Sequence, residues 1–384
     1  MSYKIIYISI LPLDKNNYER FGIEIFKKRG WSVEYWIFFG KYADYFNNKN
    51  LFYKNEKNFL VFKSIFQILN KIKKIESKNF YFINIGQSWF IERLMKIAGG
   101  KKIIIDRAGY PEVYNVVLKN FLKNKFSFKK FFNFFTKAIR MIFNKITNKL
   151  RIEPTHIFTA GNISGNITKL YSNKTKIIKS YSYDYDRYLK LKQIPLNKNF
   201  ENSIVYIEQH LEGNYEFLLT GENVMTSKYV HWNSIKNFLS KLSKNLNKKV
   251  IIAAHPKRDR NEKNNFDFEI IYNQTANLIK NSAIVVGHNS TSVSLVTLFQ
   301  KPYTCIATDE LMKNAYFYYS IKKYSQELGT DLINIDHFED FDKYNFLKYD
   351  KNAYKNYIEN YIITPDVKSE NFWSDFIDYF ENES

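Results

Sequence analysis

The sequence predicts an α/β protein built from two doubly wound parallel sheets that face a central cleft, and three observations lead there. Short β-branched and aromatic runs alternate with longer helical patterns from end to end, the signature of parallel strands joined by helices. The 384 residues suffice for two to three domains, and a polar, turn-rich stretch at 184–202, around Pro195, separates two halves of similar size. With 45% hydrophobic and 25% charged residues, the chain has the composition of a folded protein with a sizeable core. A disordered chain, a fibre and a disulfide scaffold are excluded.

The first apolar run, 4–10, is closed by Pro12 and Asp14 and has no small-residue cleavage site, so it reads as a strand and not a signal peptide. Further strands are expected over 32–38, 59–63, 80–85, 102–106, 156–159 and 176–180. Segments such as 17–29 and 87–97 have helical length and spacing between them. The second half repeats the pattern, with strands over 203–207, 249–254, 268–271, 283–287, 303–307 and 331–335. Near the end, Ser369 can cap a helix whose Phe372, Trp373, Phe376, Ile377 and Phe380 recur at helical spacing. That stripe must be buried, and a neighbouring domain is the expected cover. The expected division is 1–195, 196–365 and a terminal helix at 366–384.

Charge and cysteine content bound the setting. Fifty-eight Lys and Arg against 38 Asp and Glu leave a formal +20, which favours polyanions, anionic membranes or phosphorylated ligands. Lys, Asn, Ile, Phe and Tyr crowd the whole chain, so part of that excess is compositional background. The charge is also polarised: residues 305–384 carry 16 acids against 8 bases, a local −8, which leaves +28 on the rest. One cysteine, Cys305, excludes an internal disulfide and any cysteine-based zinc cluster, and points to a reducing, cytoplasmic compartment. No run approaches ~20 uninterrupted apolar residues, so a membrane-spanning helix is not expected.

Residues 113–152 interrupt the alternation with ten Lys or Arg, no acid, and eight Phe. One reading is a peripheral helix that sets its rings in the acyl boundary and its ammonium groups among anionic headgroups of the inner membrane. The other is a helical insertion packed on the first domain with solvated lysines. No recognition motif accompanies the charge, and nucleic acid is not an expected partner.

Two motifs carry chemistry. The strand at 249–254 ends in His255 and Pro256, followed by Lys257, Arg258 and Arg260. Residues just past the carboxyl end of a parallel strand face the ligand crevice, so the proline would fix the turn and aim the imidazole there beside three cations. The strand at 283–286 passes through Gly287 into His288, Asn289, Ser290, Thr291 and Ser292, and then into an apolar helix. Hydroxyls bunched at that point can cap the helix and leave free amides facing the crevice, an anion site without a charged side chain. On neighbouring strands, the two turns would grip one phosphate group. For a base, Asp106 closes the apolar strand 102–105, with Glu112 and Asp14 as alternates, and Arg107 could steady an anionic acceptor. The six histidines are scattered without a His-x-x-x-His pair, and Asp184-Tyr185-Asp186 has metal-triad spacing but lies in the linker, so no metal is expected.

The His-Pro at 255–256, the Ser/Thr cluster at 290–292 and the Lys301-Pro302 before the next strand together resemble the nucleotide half of GT-B glycosyltransferases. The likeness is nearest to bacterial sialyltransferases and to Kdo or capsule polysaccharide transferases, which use CMP-activated sugars. It covers about 200–310. It implies two Rossmann-like domains, a last helix crossing back to the first domain, and donor-phosphate roles for His255 and for Ser290, Thr291 and Ser292. The acid that many such enzymes carry in the following helix, where it binds ribose, is replaced here by Ser294, Leu295 and Val296. Ribose and nucleotide contacts are therefore expected from Glu208 and Gln209, with His288 and Asn289 beside them. The expected activity is an inverting, metal-independent transfer from a nucleotide-sugar donor, with no further cofactor, to a glycan or lipid-linked saccharide of the bacterial surface. A teichoic-type glycerophosphotransferase or sugar-nucleotide epimerase on the same scaffold, and a non-catalytic membrane-surface protein, are the alternatives.

Overall fold

The computed structural model describes residues 3–9, 13, 15–38, 59–75, 80–85, 89–111, 150–163, 172–211, 226–256, 258, 267–368 and 370–383. Among the described residues, thirteen strands form two parallel sheets. The first holds β1 (Lys4–Ser9), β2 (Ser32–Phe38), β3 (Phe59–Phe62), β4 (Phe80–Asn84), β5 (Gly100–Asp106), β6 (His156–Ala160) and β7 (Lys176–Ser180), in the order β3-β2-β1-β4-β5-β6-β7. The second holds β8 (Ile204–Ile207), β9 (Val250–Ala254), β10 (Glu269–Tyr272), β11 (Ile284–Gly287), β12 (Tyr303–Ala307) and β13 (Leu332–Asn334), in the order β10-β9-β8-β11-β12-β13. Every expected strand is present. Helices cover both faces, so the central strands read as unbroken apolar runs: β8, β9, β11 and β12 are buried at every residue. Each sheet reverses its winding once, between β1 and β4 and between β8 and β11. The chain is thus a pair of Rossmann-like doubly wound domains with the GT-B plan.

The terminal helix, Phe372–Glu383, crosses back to the first domain. Phe372, Trp373, Phe376, Ile377 and Phe380 are all buried in one core with Phe26, Trp31 and Phe158. Its polar edge is fastened too: Trp31 Nε1 donates to Glu381 at 3.0 Å, Arg29 pairs with Asp378 at 2.7 Å, and His156 Nε2 lies 3.1 Å from Glu383. This packing splits the helix expected at 17–29 into Lys15–Arg20 and Ile23–Lys28. Gly22 sits between them at φ +62°, and a Cβ there would lie 2.3 Å from the Trp373 ring. The segment Ile358–Ile362 leads into the crossing; Gly161, at φ +62°, admits it, since a Cβ would lie 2.3 Å from the carbonyl oxygen of Asn360.

Two further differences from the sequence reading matter. The stretch expected as a linker begins with a helix, Tyr183–Lys192, in which Tyr185 and Tyr188 pack on the core of the second domain and Tyr188 meets Phe299 at 5.1 Å. Its polar residues mask that two-tyrosine stripe. Most of the basic segment, 112–149, lies outside the described residues, and its exit is anchored: Glu92, wholly buried, holds Lys102 at 2.8 Å and Arg151 at 3.0 Å. Burial pushes the Glu92 carboxyl upward, yet Lys102 and Arg151 keep it below its ordinary value. Among the described residues no helix is long and apolar enough to cross a membrane.

Candidate functional site

At the switch point of the second sheet, β8 lies between β9 and β11, and the chain beyond all three carboxyl ends carries polar side chains. The two motifs are therefore not on adjacent strands, as the sequence suggested. With β8 interposed they stand roughly 10 Å apart, twice the interstrand spacing. Past the end of β8, between the two turns, come Glu208, Gln209 and His210.

Glu208 has a different task from the ribose contact expected of it. It is 3% exposed; one carboxylate oxygen accepts the His255 amide at 2.9 Å and the other accepts Arg258 Nη1 at 2.5 Å. Arg258 is correspondingly buried, with its guanidinium 5.2 Å from the Trp232 ring centroid, so it cannot belong to a solvent-facing cation cluster. The Arg258 amide donates to the His255 carbonyl at 3.0 Å, closing a turn with Pro256 at the position its fixed φ suits. Glu208 and Arg258 are positioning residues that clamp this turn from below. The half-buried His255 ring stacks on His210 at 6.0 Å and 21°, with His210 itself at φ +50°. Gln209 Oε1 is buried and has no hydrogen-bond partner among the described residues.

The hydroxyl turn after β11 departs from expectation in its amides. Val293, Ser294 and Leu295 donate to the carbonyls of Ser290, Thr291 and Ser292 at 3.0–3.1 Å, and the Ser292 amide donates to Ser290 Oγ at 3.2 Å. The amides of 292–295 are thus taken up within the turn that opens the short helix Val293–Leu298. The alcohols are what this turn presents, with Thr291 exposed. His288 is a core residue: it is 0% exposed, with Nδ1 2.7 Å from the Ile306 carbonyl and Nε2 3.3 Å from the Tyr206 hydroxyl. Both ring nitrogens are occupied, which takes it out of the nucleotide set. Asn289 ties the turn to the helix Ala315–Glu327 by donating to Ser320 Oγ at 2.7 Å.

Between the domains lies a cavity of about 470 Å³ whose wall includes Arg20, Tyr183, Asp184, Arg187, Thr291 and Trp373. Thr291 brings the hydroxyl turn to it. Arg20 sits 4.2 Å over the Tyr183 ring, and Trp373 Nε1 donates to the Arg20 carbonyl at 3.0 Å.

The first domain corrects the acceptor-side assignments. Asp106 ends β5 at 8% exposure but is not among the described residues lining the cavity; Ala108, two residues on, is. Arg107 is fully buried. It donates to the Tyr181 carbonyl at 2.6 Å and to Asp186 at 2.8 Å, and lies 3.8 Å over Phe372 of the crossing helix. It fastens that helix and cannot reach an acceptor. Asp186 also accepts the Tyr181 hydroxyl at 2.9 Å, so Asp184 and Asp186 serve separate partners. Asp14, Glu112 and Lys257 lie outside the described residues. The sequence reading missed the cavity wall of the 183–192 helix, whose one legible signal was the Asp-Tyr-Asp spacing.

No protein-family model matches the chain, and no curated protein matches it. Solved structures are similar in chain course only. UDP-GlcNAc 2-epimerase of Methanocaldococcus jannaschii, in complex with UDP-GlcNAc and UDP, is 13% identical over all of both chains, with a TM-score of 0.49. MurG of Acinetobacter baumannii is 7% identical over 99% of each chain, with a TM-score of 0.48. UGT89C1 of Arabidopsis thaliana, complexed with UDP-L-rhamnose, is 11% identical over 96% of this chain and 92% of its own, with a TM-score of 0.45. Matches at this level are silent on chemistry.

Proposed function

We propose that the protein is a nucleotide-sugar-dependent glycosyltransferase that works by inversion. Its donor phosphate is held between His255 and the alcohols of Ser290, Thr291 and Ser292, and CMP is favoured over UDP. One observation carries the reading: a histidine whose backbone is clamped by a buried carboxylate and a hydroxyl turn flank the switch point of one parallel sheet, and the second of them reaches the interdomain cavity. A leaving phosphate gains negative charge as the glycosidic bond breaks, and preorganised donors at fixed distance stabilise that charge without reorganising. The acceptor is a surface glycan or lipid-linked saccharide that enters from the first-domain side, with the basic segment at 113–152 toward anionic lipid.

Calorimetry with CMP and with UDP, on wild type and His255→Ala, tests this. A charge-assisted phosphate contact contributes about 1.5–3 kcal/mol, so His255→Ala should weaken the preferred nucleotide by roughly 10- to 100-fold while the melting temperature stays unchanged. If wild type binds neither nucleotide, the proposal fails. Labelled donor then separates transfer from epimerisation, because only transfer consumes an acceptor.

A further inference from the structure

We propose that Asp184 is the catalytic base of the reaction, the side chain that takes the proton from the attacking hydroxyl; this rests on the transfer reading above. Asp184 stands in the first turn of the Tyr183–Lys192 helix and lines the interdomain cavity with Thr291. That helix packs against Val293–Leu298, so its carboxylate is held close to the proposed phosphate grip by the core and not by a loop. It is 8% exposed. The other acids on the cavity wall are unsuited: Asp186 is engaged by Arg107 and Tyr181, while Glu19 and Glu370 are exposed. Asp184 itself has Arg187 at 3.4 Å, and that guanidinium is 58% exposed, which leaves a long, solvent-screened pair.

The electrostatics fit the role. The charged and titratable groups facing Asp184 are Arg187 and Asp186 on its own helix, Arg20 on Lys15–Arg20, and Tyr357 on Lys351–Tyr357. Burial pushes its carboxyl above the ordinary value, Asp186 adds to that, and the two arginines only partly oppose it. A carboxylate so raised is a stronger base toward neutral pH.

The step balances as follows. The Asp184 carboxylate accepts the hydroxyl proton as that oxygen bonds to the anomeric carbon. The bond from the anomeric carbon to the phosphate oxygen breaks, its electron pair leaves on the nucleotide, and the protonated Asp184 then returns its proton to water.

Water can stand in for the acceptor, so the test is nucleotide release from CMP-N-acetylneuraminate and from UDP-GlcNAc across pH 4–9, in wild type, Asp184→Asn and Asp184→Glu. Asp184→Asn should slow release by ~100-fold or more and abolish the acid limb of the profile, with nucleotide affinity held within about twofold and partial rescue by Asp184→Glu. An unchanged rate in Asp184→Asn overturns the assignment, as does a rate that falls only in step with affinity, or a loss in Asp106→Asn instead. If wild type binds a nucleotide but releases none from either donor at any pH, the assignment is overturned while the nucleotide site stands. If wild type binds neither CMP nor UDP, the transfer reading itself falls and this assignment with it.

Discussion

The carboxyl edges of the two sheets each bury an arginine against an acid, and they use the pair for opposite purposes. In the first domain Arg107 and Asp186 hold the crossing helix through Phe372, so the pair fastens chain to chain. In the second, Arg258 and Glu208 hold the amide of His255, so the pair fixes the turn past its strand end. Both arginines follow a strand in sequence, and both read equally well there as ligand contacts. Only the register of the neighbouring elements separates the two uses, because burial depends on what covers the strand end.

The largest test of that difference is Glu208→Ala. It leaves the Arg258 charge buried and unpaired and the His255 amide without its acceptor, so it should cost about 3–5 kcal/mol in urea unfolding of the second domain and abolish nucleotide binding. A variant that unfolds normally and binds normally would make the clamp an accident of packing. Somewhat smaller is the acid sensitivity of His231, 3% exposed and 5.7 Å from the His288 ring. Burial holds its imidazole down at about 4, below the ordinary 6.5. The unfolded chain therefore gains a proton near 6.5 that the folded chain refuses. Its contribution is whole above 6.5 and is lost as pH falls toward 4, by about 3 kcal/mol in denaturation midpoints, and His231→Gln should flatten the curve. In the first domain, burial lowers His156 too, but the Glu383 carboxylate opposes it, so that domain should be the more acid-tolerant. Smallest is Asp186→Ala, whose carboxylate is 28% exposed and leaves Arg107 its carbonyl and ring partners. A cost of about 1–3 kcal/mol with nucleotide affinity unchanged is expected, and weakened affinity would erase the contrast between the edges.

The strands and the crossing helix were legible because they rest on periodic apolar runs with both faces or one stripe covered, as in β11 and Phe372–Phe380. The position of the hydroxyl turn and of His255 past their strands was legible for the same reason. Strand order was not, because it is fixed by crossover connections and not by local pattern; hence β8 was not foreseen between the motifs. Nor were the roles of Glu208, His288 and Arg107. A side chain just past a strand end points into the crevice or back under it according to its partners, and Ile306, Tyr206, Tyr181 and Phe372 come from distant parts of the chain. Asp184 was hidden in a stretch that reads as polar connection, since the two tyrosines that bury its helix are outnumbered by charges.

Amide hydrogen exchange with and without saturating CMP or UDP bears most directly on the account. Simultaneous protection of 255–258 and 290–295 by one nucleotide is the predicted result. Protection of one segment alone, or of neither, would contradict a shared phosphate site.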